Sequence, residues 1–252
     1  MSAESTLPAV DLFQAKTVLA IQPHYDDNDL GAGGTLAALS RAGARIIYLT
    51  VTDDQVGVLD ASLPPAEAQR GLRREQAAAA ALVGVHEHVW LDYPDAGPID
   101  YHALRQDLVL VIRDLRPDVV FTVDPWLPYE FHQDHALTGR AVSEAIGLYA
   151  FRRLKLHGAM DAHYQAHPLS AVAYYFTHAP NTFFDITATR DVKHEAVRCY
   201  QLQFEPPDMQ ALVRQLEERA REAARGKGFA FAEALKVLRP DQLHIRTDTW
   251  KS

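Results

Sequence analysis

Residues Thr17–Gly34, TVLAIQPHYDDNDLGAGG, decide how the rest of the chain is read. Thr17–Gln22 is a short apolar run with the composition of a buried strand, and the residues after it turn abruptly polar and then glycine-rich. In an open parallel sheet, ligands bind just beyond the carboxyl ends of strands. His24, Asp26 and Asp27 stand in that position. A neutral imidazole and a carboxylate three residues apart suit a divalent ion of the zinc class, and a further carboxylate beside them can stay off the ion and act as a base. The glycines do not form a dinucleotide loop, because the spacing G-x-G-x-x-G is absent. Gly31, Gly33 and Gly34 are expected to permit a tight turn and close packing of helix on strand.

Outward from this stretch, apolar runs alternate with helical patterns. Thr35–Ala42 is expected to be a helix ended by Gly43, Arg45–Val51 a second strand, Pro65–Val83 a long helix, and Val89–Leu91 a short strand. Tyr101–Leu115 has helical apolar spacing, Asp118–Val123 reads as a strand, and Asp134–Leu148 as a helix. Ala171–Thr177 and Thr182–Ile186 are two more strands separated by Pro180 and Asn181. Arg190–Gln201 and Pro207–Ala224 read as helices, the second with a charged, solvated face, and Phe229–Leu238 as a final short helix. The alternation predicts an α/β fold: a single Rossmann-like three-layer domain over residues 1–252, with a mostly parallel sheet and C-terminal elaborations.

A second polar cluster follows the Asp118–Val123 strand: Asp124-Pro125-Trp126-Leu127-Pro128-Tyr129-Glu130-Phe131-His132-Gln133-Asp134-His135. Two histidines three apart with a carboxylate between them can supply one metal ligand plus one acid or orienting group. Alone the pattern is weak, because twelve histidines make chance pairs common. Paired with His24 and Asp27 at another strand end of the same sheet, it outweighs a surface-loop reading. No G-x-S-x-G nucleophile elbow occurs, and Cys199 lies in an apolar helical stretch that suits an inert thiol.

The whole-chain numbers exclude several classes. There are 252 residues, 48% hydrophobic and 23% charged, with 25 basic and 33 acidic side chains and a net charge of −8. That balance disfavours non-specific nucleic-acid or anionic-membrane partners. A lone cysteine forbids an intrachain disulfide and fits a reducing compartment. The opening MSAESTLPAV lacks a basic or apolar leader pattern, so a cytoplasmic protein is expected.

With both clusters quoted, the chain resembles the zinc-dependent de-N-acetylases of the LmbE/PIG-L family, whose pattern is (A/P)-H-P-D-D…G-x-G-G followed later by H-P-D-H. Here the pattern stands as Pro23-His24-Tyr25-Asp26-Asp27 and His132-Gln133-Asp134-His135. Thr50–Asp53, Leu91–Asp95, Asp185–Thr187 and Gln201–Phe204 extend the likeness over nearly the whole chain. Asp124–Glu130, Tyr174–Asn181 and Leu243-His244 are similar to the branch of diacetylchitobiose deacetylases.

The resemblance implies one zinc ion held by His24, Asp27 and His135, Asp26 as general base, zinc and His132 stabilising the oxyanion, Asp134 holding the His132 imidazole or its charge, and Asp26 or His132 protonating the leaving amine. Arg73, or Arg74 beside it, and Asp95 would face sugar hydroxyls or else form a surface salt bridge. Trp126 would stack on a sugar or pack in the core. His244 would approach a neighbouring subunit's site or remain a plain surface residue. The branch implies an amino-sugar substrate and a homo-oligomer such as a hexamer. Three departures stand out: Tyr25 and Gln133 replace prolines, and Asp54 stands where Thr-Asp-Gly is usual. Other readings keep the amidase chemistry on a glucosaminyl-inositol, a glucosaminyl-malate or a glycopeptide, or leave a non-catalytic sugar- or nucleotide-binding module. Loops such as 55–65 and 148–170 would set the substrate, and iron(II) suits the same ligands as zinc.

Overall fold

The computed structural model describes residues 10–246 and Thr249. Residues 1–9, most of the opening MSAESTLPAV, lie outside it. The strands are β1 (Thr17–Gln22), β2 (Arg45–Thr52), β3 (Glu87–Tyr93), β4 (Val119–Val123), β5 (Lys155–Leu156), β6 (Ala159–Met160), β7 (Ala171–Tyr175), β8 (Thr182–Asp185) and β9 (Ala232–Leu238). The α-helices are α1 (Asp27–Arg41), α2 (Pro65–Val83), α3 (Tyr101–Leu115), α4 (Gln133–Leu148), α5 (Arg190–Val197) and α6 (Pro206–Ala224). Seven strands form one sheet in the order β3-β2-β1-β4-β7-β9-β8, while β5 and β6 make a separate antiparallel pair. The first five of those seven are mutually parallel, and β9 runs antiparallel to both its neighbours. This is the expected α/β class with a mostly parallel sheet.

The continuous apolar strands follow from helices on both faces. Val18 and Ala20 of β1 join the core beneath α1, α2, α5 and α6, whereas Leu19 and Ile21 join the opposite core beneath α3 and α4. Alternate residues of one strand therefore bury into two different layers. Helix ends carry local signals. Asp100 caps α3 by accepting from the backbone N–H groups of His102 and Ala103, and Gly84 ends α2 in the left-handed conformation at φ +87°. Among the described residues no helix is long and apolar enough to cross a membrane.

Two expectations are corrected. Residues 232–238 form strand β9, not part of a final short helix. Ala, Glu, Leu and Lys favour a helix, but the open slot between β7 and β8 offers backbone partners on both sides, and tertiary context overrides propensity. The first helix begins at Asp27, not Thr35. The glycine-rich segment is thus helical, and its glycines serve close approach. A Cβ on Gly31 would lie 2.1 Å from the Tyr175 ring, and one on Gly34 would lie 2.8 Å from Ile186.

Candidate active site

The chain leaves β1 for β2 on one side of the sheet, then returns to place β4 on β1's other side. This reversal opens a crevice at the carboxyl ends of β1 and β4. The turn 23–26 leaves β1 into α1, and the loop 124–132 leaves β4 into α4, so both polar clusters converge there.

His24, Asp27 and His135 present ligand-type atoms that all lie within 4.8 Å of one another. Asp27, at the first turn of α1, sits at the centre. Its Oδ2 accepts the His24 backbone N–H at 3.0 Å and lies 3.2 Å from His24 Nδ1, and its Oδ1 is 3.4 Å from His135 Nε2. Asp134 and Asp95 close the cage, their carboxylates 3.7 and 3.5 Å from His24 Nε2. Burial works against a charge on His24, yet Asp134, Asp27 and Asp95 outweigh it and hold the imidazolium far above its ordinary range. Burial likewise disfavours the Asp27 carboxylate, but His135 and His24 lower its pKa. Three carboxylates facing one buried imidazole are a donor set that a divalent cation satisfies. His24 Nε2 and Asp95 Oδ1 are buried without a hydrogen-bond partner, as groups awaiting a ligand would be. The donors, imidazole nitrogen and carboxylate oxygen, suit zinc-class ions.

Beside this cage is a cavity of about 270 Å³ lined by His24, Asp26, Asp54, Val56, Gly57, Asp95, His132 and Gln203. Asp26 occupies the N-cap position of α1 but makes no capping hydrogen bond. Burial, followed by the nearby Asp27 and Asp54, raises its pKa well above the usual carboxylate range. A carboxyl group with raised proton affinity at a cavity wall is equipped to take a proton and return it. His132 lies across the cage, its ring 4.5 Å from that of His24, and burial and then His24 lower its pKa.

Asp134 makes no hydrogen bond to the His132 ring, but its charge acts on that imidazole. Its Oδ2 accepts the Ala96 backbone N–H at 2.9 Å and faces His24, while His132 Nδ1 is buried without a hydrogen-bond partner. Glu130 orients this segment, accepting the His132 backbone N–H at 2.8 Å and lying 3.5 Å from His135 Nδ1. The sequence signal for Glu130 is only a carboxylate two residues before a candidate histidine. Asp54 was visible as a departure from the family pattern, but its place in the cavity wall depends on tertiary contacts.

The expected sugar-facing residues divide. Asp95 lines the cavity and accepts the Val56 backbone N–H at 2.8 Å. Arg73 is committed elsewhere: it pairs with Asp92 at 2.5 and 2.7 Å, donates to the Tyr25 hydroxyl at 3.3 Å and lies over the Trp90 ring at 4.6 Å. Trp126 packs edge-on against Tyr174 at 5.7 Å beside a neighbouring cavity of about 280 Å³. His244 is exposed, just after the short 3-10 turn Pro240–Leu243. Neither Trp126 nor His244 lines the His24–Asp26 cavity.

A doubly covered α/β sheet with a histidine–carboxylate cage and an adjacent buried carboxyl group at its switch point suits metal-assisted hydrolysis, and the comparisons below give the class, a hydrolytic de-N-acetylase. The family model for GlcNAc-PI de-N-acetylase (PIG-L) matches residues 19–146, and the chain belongs to that family. Diacetylchitobiose deacetylase of Thermococcus kodakarensis is 36% identical over 234 residues, covering 91% of this chain and 86% of that protein. The solved structure of N,N′-diacetylchitobiose deacetylase from Pyrococcus horikoshii is similar at a TM-score of 0.83 and 35% identity, covering 93% of this chain and 88% of that one. A 1D-myo-inositol 2-acetamido-2-deoxy-alpha-D-glucopyranoside deacetylase from Kineococcus radiotolerans is 27% identical over 170 residues, 55% of this chain and 47% of that protein.

Proposed function

We propose that this chain is a metal-dependent hydrolase that removes the acetyl group from an N-acetylglucosamine unit, with diacetylchitobiose as its first-choice substrate. One observation carries the chemistry: the Asp26 carboxyl, with raised proton affinity, lines the same cavity as His24 of the His24–Asp27–His135 cage. The choice of substrate is supported by likeness to diacetylchitobiose deacetylases along nearly the full chain, whereas the glucosaminyl-inositol deacetylase is matched over about half of it.

His24, Asp27 and His135 would hold one zinc ion, which when bound acidifies water and polarises the acetamide carbonyl. Asp26 takes the proton of the attacking water. His132, whose ring lies 4.5 Å from that of His24 and which lines the same cavity as Asp26, would stabilise the developing oxyanion as a donor. The C–N bond then breaks, and Asp26 returns its proton to the leaving nitrogen. The products are acetate and a free amino sugar. Tyr129 and Phe131 are almost fully exposed on the loop leading to His132 and offer aromatic faces to a second sugar ring. A cytoplasmic, homo-oligomeric setting belongs to the same proposal, the first supported by the lone cysteine and the second by the resemblance to the diacetylchitobiose deacetylase branch.

The test is acetate release from N-acetylglucosamine, diacetylchitobiose and N-acetylglucosaminyl-inositol. Preference for diacetylchitobiose supports the whole reading. Preference for the inositol conjugate moves the substrate while keeping the chemistry, and release from none of them overturns it.

A further inference from the structure

Residue 25 lies between a cage histidine and the proposed base, and its backbone is held from both sides. The Tyr25 carbonyl accepts from Gln22 Nε2 at 3.0 Å, Gln76 Nε2 at 3.2 Å and the Tyr200 hydroxyl at 2.9 Å. Those donors come from the core behind the turn. On the other side, the Tyr25 N–H donates to Asp54 Oδ2 at 3.0 Å, and Asp54 lines the cavity. Asp54 Oδ1 accepts from Gln203 Nε2 at 2.9 Å. Asp54 is itself unusual: it is 3% exposed and adopts φ +52°, the left-handed region that favours glycine. A buried carboxylate in a costly backbone conformation persists where the surroundings over-determine it, and such strain clusters at functional sites.

We infer that Asp54 is a positioning residue for the reaction: its carboxylate clamps the Tyr25 N–H and so fixes the turn that aims His24 and Asp26. Tyr25 and Asp54 are therefore one feature written in two places. A proline has no N–H to donate and a glycine has no carboxylate to accept. Gln203 completes the clamp from the segment after α5. Its Oε1 is buried without a hydrogen-bond partner, so its amide can turn over and still bond a changed residue 54.

That freedom makes the test selective. The inference rests on the deacetylase reading, so two readouts are used, one independent of turnover. In Asp54→Asn the side-chain oxygen can accept the Tyr25 N–H while its amide donates to a turned Gln203. Asparagine also tolerates the left-handed backbone. Both this variant and Asp54→Gly remove the charge that acts on Asp26, so the difference between them reads the clamp alone, and Asp54→Asn keeps a kcat about fivefold or more above that of Asp54→Gly. Asp54→Gly relaxes the backbone but removes the clamp. It lowers kcat by ~10- to 10²-fold with KM changed much less, as misaligned catalytic groups do.

The independent readout is hydrogen exchange of the Tyr25 amide. It accelerates at least about tenfold in Asp54→Gly and stays near wild type in Asp54→Asn, because exchange follows local opening. Joining Tyr25→Pro to Asp54→Gly costs less than the product of the two single effects, the sign of one shared interaction. If the double variant does not fold, the two Asp54 variants decide alone. Unchanged Tyr25 exchange in Asp54→Gly overturns the clamp, whatever the substrate proves to be. Equal loss of kcat in Asp54→Asn and Asp54→Gly overturns positioning by geometry. Failure of the wild type to release acetate overturns the functional reading instead, and the exchange measurement still judges the clamp.

Discussion

At the scale of single residues, the proposal divides the site into groups that would hold an ion and groups that would move a proton. Asp26 and Asp27 are adjacent in sequence, yet their surroundings drive them in opposite directions. Burial and two neighbouring carboxylates raise Asp26, while His135 and His24 overcome burial and lower Asp27. Such divergence is how one site assigns an acid–base role and a ligand role to identical side chains. Asp26→Asn is therefore expected to bind metal at the wild-type stoichiometry and to lose ~10²- to 10⁴-fold in kcat. Metal analysis beside steady-state rates checks this, and wild-type turnover would remove Asp26 from the mechanism. His135→Ala should lose tight metal binding, because one of three protein donors is gone. Retention of one ion per chain through dialysis against chelator would contradict its place in the cage. The two polar clusters alone made these residues candidates, and the resemblance to the LmbE/PIG-L family is what divided the roles among them. The contacts of Arg73 were not: its pairing with Asp92, Tyr25 and Trp90 depends on how α2 lies over β3, which no local spacing records.

At the scale of elements, α1 is the piece on which the site depends. It is buried on most sides and carries polar groups inward, each with a partner. Asn28 donates to the Ala20 carbonyl at 3.1 Å, and Asp29 accepts from the hydroxyls of Tyr48 at 2.7 Å and Tyr200 at 2.5 Å. Glycines let it approach β7 and the Ile186 segment. Gly31→Ala would drive a methyl into the Tyr175 ring and should destabilise the fold by ~1–3 kcal/mol, measured by denaturant unfolding. No loss would mean that α1 can shift away from β7.

Strand β9 reaches α1 through Glu233, which pairs with buried Lys193 at 2.6 Å and accepts from the Gly34 and Thr35 backbone N–H groups at 3.0 and 2.7 Å. Glu233→Gln leaves the Lys193 ammonium buried without its counter-charge. A loss of ~3–5 kcal/mol is expected, because both side chains are removed from solvent. A change below about 1 kcal/mol, the size typical of exposed pairs, would show that water reaches the pair. β9 is also where sequence reading failed. Its helix-forming composition concealed a strand whose identity comes from its two neighbours. The inner strands were readable because burial on both faces writes itself as continuous apolar runs.

At the scale of the whole molecule, the order β3-β2-β1-β4-β7-β9-β8 turns two clusters far apart in sequence into one crevice. The alternation of strands and helices already placed both clusters at strand ends. The contact between Tyr25 and Asp54 was not legible, since it needs β1 and β2 side by side with the correct register.

The molecule also stores opposing pH responses. Burial lowers the pKa of His167 and His194 below the ordinary 6.5, so each contributes stability above pH 6.5 that is lost as pH falls through its folded value. Burial raises Asp29 to about 6 from 3.8, so its contribution is present below pH 3.8 and fades as pH rises through 6. The histidine part is isolated by difference. Between pH 7.5 and 5.5, His167→Gln should lose less thermal stability than wild type; equal losses would show that His167 does not titrate with folding.

The most direct test of the central claim is acetate released from diacetylchitobiose by one preparation assayed three times: as metal-loaded protein, after chelator treatment, and after zinc is restored. The account predicts release that disappears with the metal, returns with about one zinc per chain, and is nearly absent throughout in Asp26→Asn. Release that persists in the stripped protein, or in metal-loaded Asp26→Asn at the wild-type rate, would contradict it.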